Sequence, residues 1–253
     1  MLREQMIKTR LGKATDFRWR SHEISRIEGL SDAVFGFAIT LLVVSLEVPK
    51  TFNQLSEIMR GFGAFAISFT LLFLVWFIHY KFFRRYGLQD TTTVVLSGVL
   101  LFVVLFYVYP LKFLFSTIVE RFMGGHGEIR LPNGNVEAVI EHEQVASLMI
   151  IFDVGYLAVF AVFFLLFWHA YRKRKDLELN ELEVFDTRNS LQEMALNCGI
   201  ALLSLAIVLF GGPNYAGLAG LAYMLIGVAM GVHGKIMGRR RLIMARQFAA
   251  FEE

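Results

Sequence analysis

Cysteine and proline are both scarce in this chain of 253 residues, which contains one Cys and four Pro. The lone Cys198 cannot form an intramolecular disulfide bond, and it has no second thiol with which to build a cysteine metal site. Common enzyme signatures are also missing: the chain has no His-Glu-x-x-His motif, no phosphate-binding loop and no Gly-x-Ser-x-Gly motif. We therefore predict that the protein is not an enzyme and holds no catalytic centre, cofactor or bound metal.

Charged residues are missing from long stretches of the chain, which is 56% hydrophobic with a mean hydropathy of +0.54. A membrane-spanning helix needs about 20 apolar residues, and alternating barrel segments are absent from this sequence. The pattern predicts an all-α membrane protein with six transmembrane helices. The first begins behind a long charged segment, so no cleaved signal peptide is indicated. The predicted spans are 29–48, 61–82, 92–116, 144–171, 190–210 and 217–238.

Basic residues are distributed unevenly between the ends of these spans. Seven lie in the N-terminal segment, three after the second span, five between the fourth and fifth spans and five after or at the end of the sixth, which is 20 of the 25 Lys and Arg residues. Because basic residues concentrate on the cytoplasmic side, both termini are predicted to be cytoplasmic. The expected organisation is a basic segment 1–28, a membrane domain 29–238 and a tail 239–253. Basic clusters beside spans indicate topology and not a nucleic-acid partner.

The longest loop on the opposite side, 118–143, contains a turn signal between two β-prone runs. Pro132-Asn133-Gly134-Asn135 separates Glu128–Leu131 from Val136–Ile140. An Asn-Gly pair between such runs predicts a small β-hairpin. It would serve either as a plain connector or as a cap over an opening on that face.

The first predicted span carries a Ser-Asp pair near its cytoplasmic end. An acid inside the membrane is costly unless it is paired or hydrated. The second span returns to this depth and places Trp76 and His79 on one face. We predict that Asp32 pairs with His79, with Ser31 and the Trp76 indole as further partners. The alternative is a solvated Asp32 at headgroup level.

Two stripes run along the remainder of the first span. Phe37, Leu41 and Val44 recur at i, i+4 and i+7, and Thr40 borders them. A second stripe consists of small residues, Gly29, Ala33 and Gly36, which suit close helix packing. Periodicity leaves open whether either stripe lines a pore or only packs against other helices. The stripe of small residues does not by itself indicate a functional site.

A family resemblance follows from these residues. Arg26-x-x-x-Leu30-Ser31-Asp32, followed by a Phe-rich first span with a threonine, resembles the Arg-x-x-x-Phe-Ser-Asp signature of the transmembrane protein 175 family of endosomal and lysosomal potassium channels. Trp76-Phe77-Ile78-His79 strengthens the resemblance, which is to the prokaryotic six-helix branch. The chain departs from the family at Leu30, usually Phe, and at Phe37, usually Ile or Leu.

The resemblance implies a homotetramer in a bacterial or archaeal inner membrane, with the first helix of each copy lining a central pore. The expected function is passive conduction of potassium, with other monovalent cations left open, through a hydrophobic gate and filter of side-chain rings. By position, these rings are Phe37, Leu41 and Val44, with a hydroxyl layer from Thr40. Arg26, Ser31, Asp32, Trp76 and His79 would form a structural polar network. The expected partners are the ion, the lipid bilayer and other copies of the chain.

Three further interpretations concern the other spans. Asp153-Val154-Gly155-Tyr156-Leu157 is similar to a carbonyl filter of conventional potassium channels, but it lies within a continuous apolar run, so an ordinary helix is expected. A secondary transporter or proton-coupled carrier using Asp32 or Asp153 is the alternative function, and an intramembrane enzyme would need more groups at one depth. In the sixth span, a glycine face predicts a tight interhelical contact; it comprises Gly220, Gly227, Gly231, Gly234 and Gly238.

Overall fold

The computed structural model describes residues 17–21, 23–44, 49–124, 128–130 and 136–252, and helices dominate these ranges. The bounds of the elements follow directly from its backbone hydrogen bonds. They are α1 (Arg26–Val44), α2 (Phe52–Arg60), α3 (Phe62–Tyr86), α4 (Thr91–Phe122), β1 (Glu128–Arg130), β2 (Val136–Ala138), α5 (His142–Arg172), α6 (Glu181–Gly211), a 3-10 turn (Pro213–Tyr215), α7 (Ala216–Ala222) and α8 (Met224–Glu252).

Within the described ranges, five helical segments are long and apolar enough to cross a membrane. They coincide with the second to sixth predicted spans, the last being Pro213–Gln247, which comprises the 3-10 turn, α7 and most of α8. The protein is therefore a multi-pass membrane protein. α1 has 19 residues and occupies the first predicted span, whose end at 45–48 lies outside the described residues. The count of six spans and the positions of the termini remain predictions.

Several helices extend beyond the apolar blocks because capping residues, and not hydropathy, set their ends. α6 begins nine residues before its predicted span, where the Asn180 side chain accepts from the Glu183 backbone and Glu183 reaches back to Asn180. This reciprocal capping box satisfies two otherwise unpaired N–H groups. α3 ends at Gly87, whose φ of 59° is readily adopted by glycine. α8 continues past residue 238, so the predicted tail is a helical extension.

The helices pack around two core clusters of buried apolar residues. α5 lies along α4 and α6, α1 lies against α3 and α4, and α8 packs on α6. The first core cluster joins α1, α3, α4 and α5 and combines aliphatic with aromatic side chains; its buried aromatic residues are Phe35, Phe82, Phe83, Tyr86, Phe163 and Phe167. The second core cluster lies toward the other end of α4 and includes Leu111, Phe152, Val208 and Ala219. Close van der Waals packing of these side chains holds the helices of one chain together.

The local predictions outside α1 have mixed outcomes. The hairpin is confirmed, since β1 and β2 pair antiparallel with Ile129 opposite Glu137, while the turn 131–135 lies outside the described residues. The ordinary helix predicted at Asp153–Leu157 is also confirmed, within α5. The glycine face makes no tight contact with any described residue of the same chain, because a Cβ added at any of its five glycines would meet nothing within 4 Å. The side of α8 around Met230 packs on α6 instead, with Met230 beside Asn197.

Candidate functional site

One side of α1 anchors the helix to the rest of the chain. Ser31, Phe35, Ala38 and Leu42 recur at intervals of four, three and four residues, and each is at most 1% exposed. This spacing places them on a single helical face. The face packs on α3 and α4, where Phe35 contributes to the first core cluster. Beyond Asp32, α1 is apolar on every side except for Thr40, so packing and not hydropathy distinguishes its two sides there.

The opposite side of α1 is left uncovered by the part of the chain that the structure describes. Phe37 is 58% exposed, and Ala33, Gly36 and Thr40 are exposed beside it. A Cβ added at Gly36 or Gly29 would meet no neighbouring atom within 4 Å. An apolar face that includes several small residues permits close approach of another helix. We call the exposed side of α1, residues Gly29, Ala33, Gly36, Phe37, Thr40 and Val43, the open face.

The predicted ring residues differ in their placement on α1. Phe37 and Thr40 lie on the open face, Leu41 is half-buried at its margin against the first core cluster, and the side chain of Val44 lies outside the described residues. The Thr40 hydroxyl donates to the Phe37 carbonyl at 2.7 Å. Because its only proton is used inside the helix, the Thr40 oxygen presents lone pairs away from the backbone. The open face therefore presents one large aromatic side chain and, next to it, one hydroxyl oxygen with free lone pairs.

The predicted pair between Asp32 and His79 is not formed. The Trp76 indole N–H donates instead to Asp32 Oδ1 at 2.8 Å, and no hydrogen-bond partner is found for the buried Nε2 of His79 within the described ranges. The His79 ring packs 5.8 Å from Phe35 and 4.7 Å from the Phe83 ring. The physical reason is orientation: His79 faces the buried side of α1, whereas Asp32 lies at the edge of the open face, where the longer indole reaches it.

The other members of the predicted network make local contacts. The Ser31 hydroxyl donates to the Ile27 carbonyl at 2.7 Å, and Arg26 is exposed at the start of α1. Asp32 and Trp76 are thus the two predicted residues that the structure joins by a side-chain hydrogen bond. Trp76 also stacks on Tyr80, with ring centroids 5.6 Å apart. This contact fixes the indole orientation that meets Asp32.

Hydrogen bonds and an ion pair hold the segment that leads into α1 in place, and they involve residues that the sequence analysis missed. Glu28 accepts from the backbone N–H and the hydroxyl of Ser25, at 3.1 and 2.8 Å. The Arg20 backbone N–H donates to the Arg84 carbonyl, and the Arg20 guanidinium pairs with Glu183 at 2.6 Å. The pattern Ser25-x-x-Glu28 is a recognisable capping box. The pairing of Arg20 with a residue 163 positions away leaves no local sequence signal.

A second ionic cluster joins α4 to the end of α5. Asp90 caps α4 and accepts from His169 Nε2 at 2.6 Å and from Lys173 Nζ at 2.9 Å. Partial burial opposes ionisation of Asp90, but hydrogen bonds from Thr93, Lys173 and His169 outweigh it and hold its pKa well below the usual range. Asp90 is therefore an ionised anchor between the two helices.

These features define a class of protein: a multi-pass α-helical membrane protein whose first helix presents an open, largely apolar face. Comparisons with known proteins are consistent with this class. The family described as endosomal/lysosomal potassium channel TMEM175 matches residues 26–107. A potassium channel from Marivirga tractuosa is 40% identical over 244 residues, which is 94% of this chain and 98% of that protein. The chain belongs to the TMEM175 family.

Solved structures agree with this assignment. The chain is similar to the crystal structure of the potassium channel MtTMEM175, a threonine-to-alanine variant bound to a nanobody–MBP fusion, at 40% identity and a TM-score of 0.76 over 90% of this chain and 99% of that one. It is also similar to a lysosomal potassium-selective channel TMEM175 homolog from Chamaesiphon minutus. At 21% identity and a TM-score of 0.50, over 89% of this chain and 99% of that one, the second likeness concerns the fold alone.

Proposed function

We propose that this protein is a potassium-permeable cation channel that conducts passively through a central pore lined by α1 of four identical copies. Family membership and the names of its relatives support the conducted ion. The observation that carries the architecture is the open face of α1, which one chain leaves uncovered while the other side of the helix is fully packed. In the proposed assembly, six spans cross an inner membrane with both termini in the cytoplasm.

The open face suits the wall of a narrow pore better than a lipid-facing surface. Gly36 and Ala33 permit α1 helices of neighbouring copies to approach closely around an axis. Phe37 would then project a large apolar ring toward that axis, while Thr40 lies three residues further along, a rise of about 4.5 Å. A lipid-facing surface has no comparable need for small residues beside an oriented hydroxyl.

In this arrangement, Phe37 forms the narrowest ring, and Leu41 and Val44 contribute further apolar layers. Such rings offer no polar atom to replace the water around an ion, so they gate by dewetting and discriminate weakly. The lone pairs of Thr40 Oγ1 lie next to this constriction and partly compensate a dehydrated cation. Potassium loses its water at lower cost than sodium, so an apolar constriction favours potassium.

Flux measurements on purified protein in liposomes test the conduction proposal. A potassium gradient without a proton gradient should drive potassium flux above that of protein-free liposomes, and an equal sodium gradient should drive less. Absence of flux would overturn the proposal. Flux that requires an imposed proton gradient would favour the carrier alternative, in which Asp32 or Asp153 couples transport to protons.

Native mass measurement in detergent tests the oligomer independently. We expect a mass of four chains for the wild-type protein. A Gly36→Leu variant should shift the population toward smaller species, because four bulky side chains would separate the close-packed helices. The matched control is Gly98→Leu on α4, where an added Cβ also meets nothing within 4 Å in the single chain. A wild-type monomer or dimer would contradict the central pore.

A further inference from the structure

The second core cluster contains an acid that the proposed conduction pathway does not use. Asp153 on α5 is 0% exposed among apolar residues that include Phe152 and Val208. Its Oδ1 accepts from the Ser204 hydroxyl at 2.9 Å and from the Tyr223 hydroxyl at 2.7 Å. Its Oδ2 is buried, with no hydrogen-bond partner in the described part of the chain. Ionisation would place part of the negative charge on this buried, unpaired oxygen, which costs more than leaving a neutral carbonyl oxygen unpaired there.

The Ser204 hydroxyl links the protonation state of Asp153 to a neighbouring backbone carbonyl. Its oxygen lies 2.9 Å from Asp153 Oδ1 and 3.1 Å from the carbonyl of Ala219, but a hydroxyl has only one proton. If Asp153 is ionised, Ser204 must donate to it and the buried Ala219 carbonyl loses that donor. If Asp153 is protonated on Oδ1, it donates to Ser204 and Ser204 donates to Ala219. Both close contacts are then hydrogen bonds.

The Ala219 carbonyl needs this donor because the last span breaks nearby. α7 ends at Ala222 and α8 begins at Met224. At the break, the Tyr223 backbone N–H bonds to the carbonyls of Gly220 and Leu221 and does not continue the regular pattern to Ala219. A carbonyl freed inside a membrane must find another partner. Ser204 supplies it, and the Tyr223 side chain at the same break reaches Asp153.

The groups that face Asp153 supply no counter-charge. The phenol of Tyr223 faces it from the break, and those of Tyr107 on α4 and Tyr156 on α5 lie nearby, with Cys198 of α6 beside Tyr156. The Tyr107 hydroxyl donates its own hydrogen bond to the Phe152 carbonyl at 3.1 Å. In the described ranges, no basic side chain forms an ion pair with Asp153.

We propose that Asp153, Ser204 and Tyr223 form a buried proton-binding site, in which a protonated Asp153 holds the two sides of the break in the last span together. The ligand is a proton because the carboxyl, the hydroxyl and the freed carbonyl form one continuous donor chain only when a proton is added. The site lies between α5, α6 and the α7–α8 break, away from the open face of α1. It does not depend on the proposed channel function.

Infrared spectroscopy of the full-length purified protein tests the site directly. At neutral pH, the wild type should show the carbonyl stretch of a protonated carboxylic acid, and Asp153→Asn should lose it. Ser204→Ala should shift this band, because the acid loses the acceptor of its proton. A wild-type spectrum without such a band, or a band unchanged in both variants, would overturn the proposal even if the Asn variant assembles poorly.

Stability measurements provide a second, independent test. Asp153→Asn replaces the neutral acid with a neutral group of the same shape and should melt close to wild type, whereas Asp153→Ala should melt lower. Since the folded protein holds one proton more than the unfolded chain, wild-type stability should fall as pH rises, by up to about tenfold in the folding equilibrium per pH unit. The stability of Asp153→Asn should not show this dependence on pH. An Asn variant as unstable as the Ala variant, or stabilisation of wild type by added sodium or potassium that the Asn variant lacks, would show that a charged carboxylate is required.

Discussion

Removal of the Phe37 ring is the most direct test of which side of α1 lines the proposed pore. Phe37 is 58% exposed in the single chain, so Phe37→Ala removes little core packing. Truncating a fully buried Phe costs about 3–5 kcal/mol, and we expect well under half of that here, about 1–2 kcal/mol. The Phe37 carbonyl that accepts from Thr40 belongs to the backbone and is retained. The variant therefore changes the width of the ring and leaves the hydroxyl layer in place.

The expected effect on flux follows from the barrier that an apolar ring imposes. Lowering that barrier by about 1.4 kcal/mol raises the rate tenfold. We expect Phe37→Ala to raise potassium flux from liposomes at least about tenfold and to reduce the preference for potassium over sodium, because a wider ring strips less water from either ion. The measurement is the initial rate of potassium and of sodium flux at equal protein density.

Phe102→Ala is the matched control, since Phe102 on α4 is 72% exposed and lies outside α1. It should conduct like wild type. Phe35 is unsuitable as a control because it is 1% exposed, so truncation would cost the full amount for a buried ring. Unchanged flux in Phe37→Ala at normal assembly would refute the assignment of this ring to the pore. Increased flux in Phe102→Ala alone would place the pathway on a different helix.

Three further predictions concern the hydroxyl layer, the base of α1 and the ionic anchor. Thr40→Val keeps the shape but removes the oxygen, so the potassium preference should fall roughly fivefold, or ~1 kcal/mol, while Thr40→Ser should retain it in the same flux assay. Trp76→Phe removes the donor to Asp32 and should destabilise the assembled protein by about 1–3 kcal/mol in thermal unfolding, whereas Trp168→Phe, with Trp168 45% exposed on α5, should not. The lowered pKa of Asp90 means that its contribution to stability is present above its ordinary pKa of about 3.9 and is lost as pH falls toward the folded-state value. The melting temperature of the wild-type protein should therefore drop at acid pH. Asp90→Asn should be less stable than wild type at neutral pH, and its melting temperature should fall less on acidification. An equal fall in the two proteins would contradict the role of Asp90 as an ionised anchor.

Much of the architecture could be predicted from the sequence because a membrane makes local composition decisive. A long apolar block between charged segments must form a helix in lipid, since its backbone groups have no other partners there. Five long helices occupy the predicted positions, and the Asn-Gly signal correctly predicted the two short strands. The motif that begins at Arg26 led to the family independently of any tertiary contact. The short helix α2 was missed because it lies between spans and carries no apolar block.

Tertiary structure alone decided which side of each apolar helix is used. Phe35 and Phe37 are chemically identical and lie about 200° apart around α1, and only packing against α3 and α4 buries one and exposes the other. Hydropathy could not distinguish these two sides, because beyond Asp32 the helix is apolar on every side except for Thr40. For the same reason, the glycine face of the last span could be located from its spacing, but its lack of a partner among the described residues of the chain could not be predicted.

Whether a polar contact could be predicted from the sequence likewise depends on how far apart its residues lie along the chain. A capping box such as Ser25 with Glu28 is local and can be recognised from its spacing. Trp76 and His79 were both candidates for Asp32, and the choice depended on which side of α3 meets the edge of α1. The site around Asp153 draws Ser204 and Tyr223 from other helices, 51 and 70 residues away. Composition therefore determined that these helices cross a membrane, whereas their rotation about their own axes, set by side-chain packing, determined which residues meet.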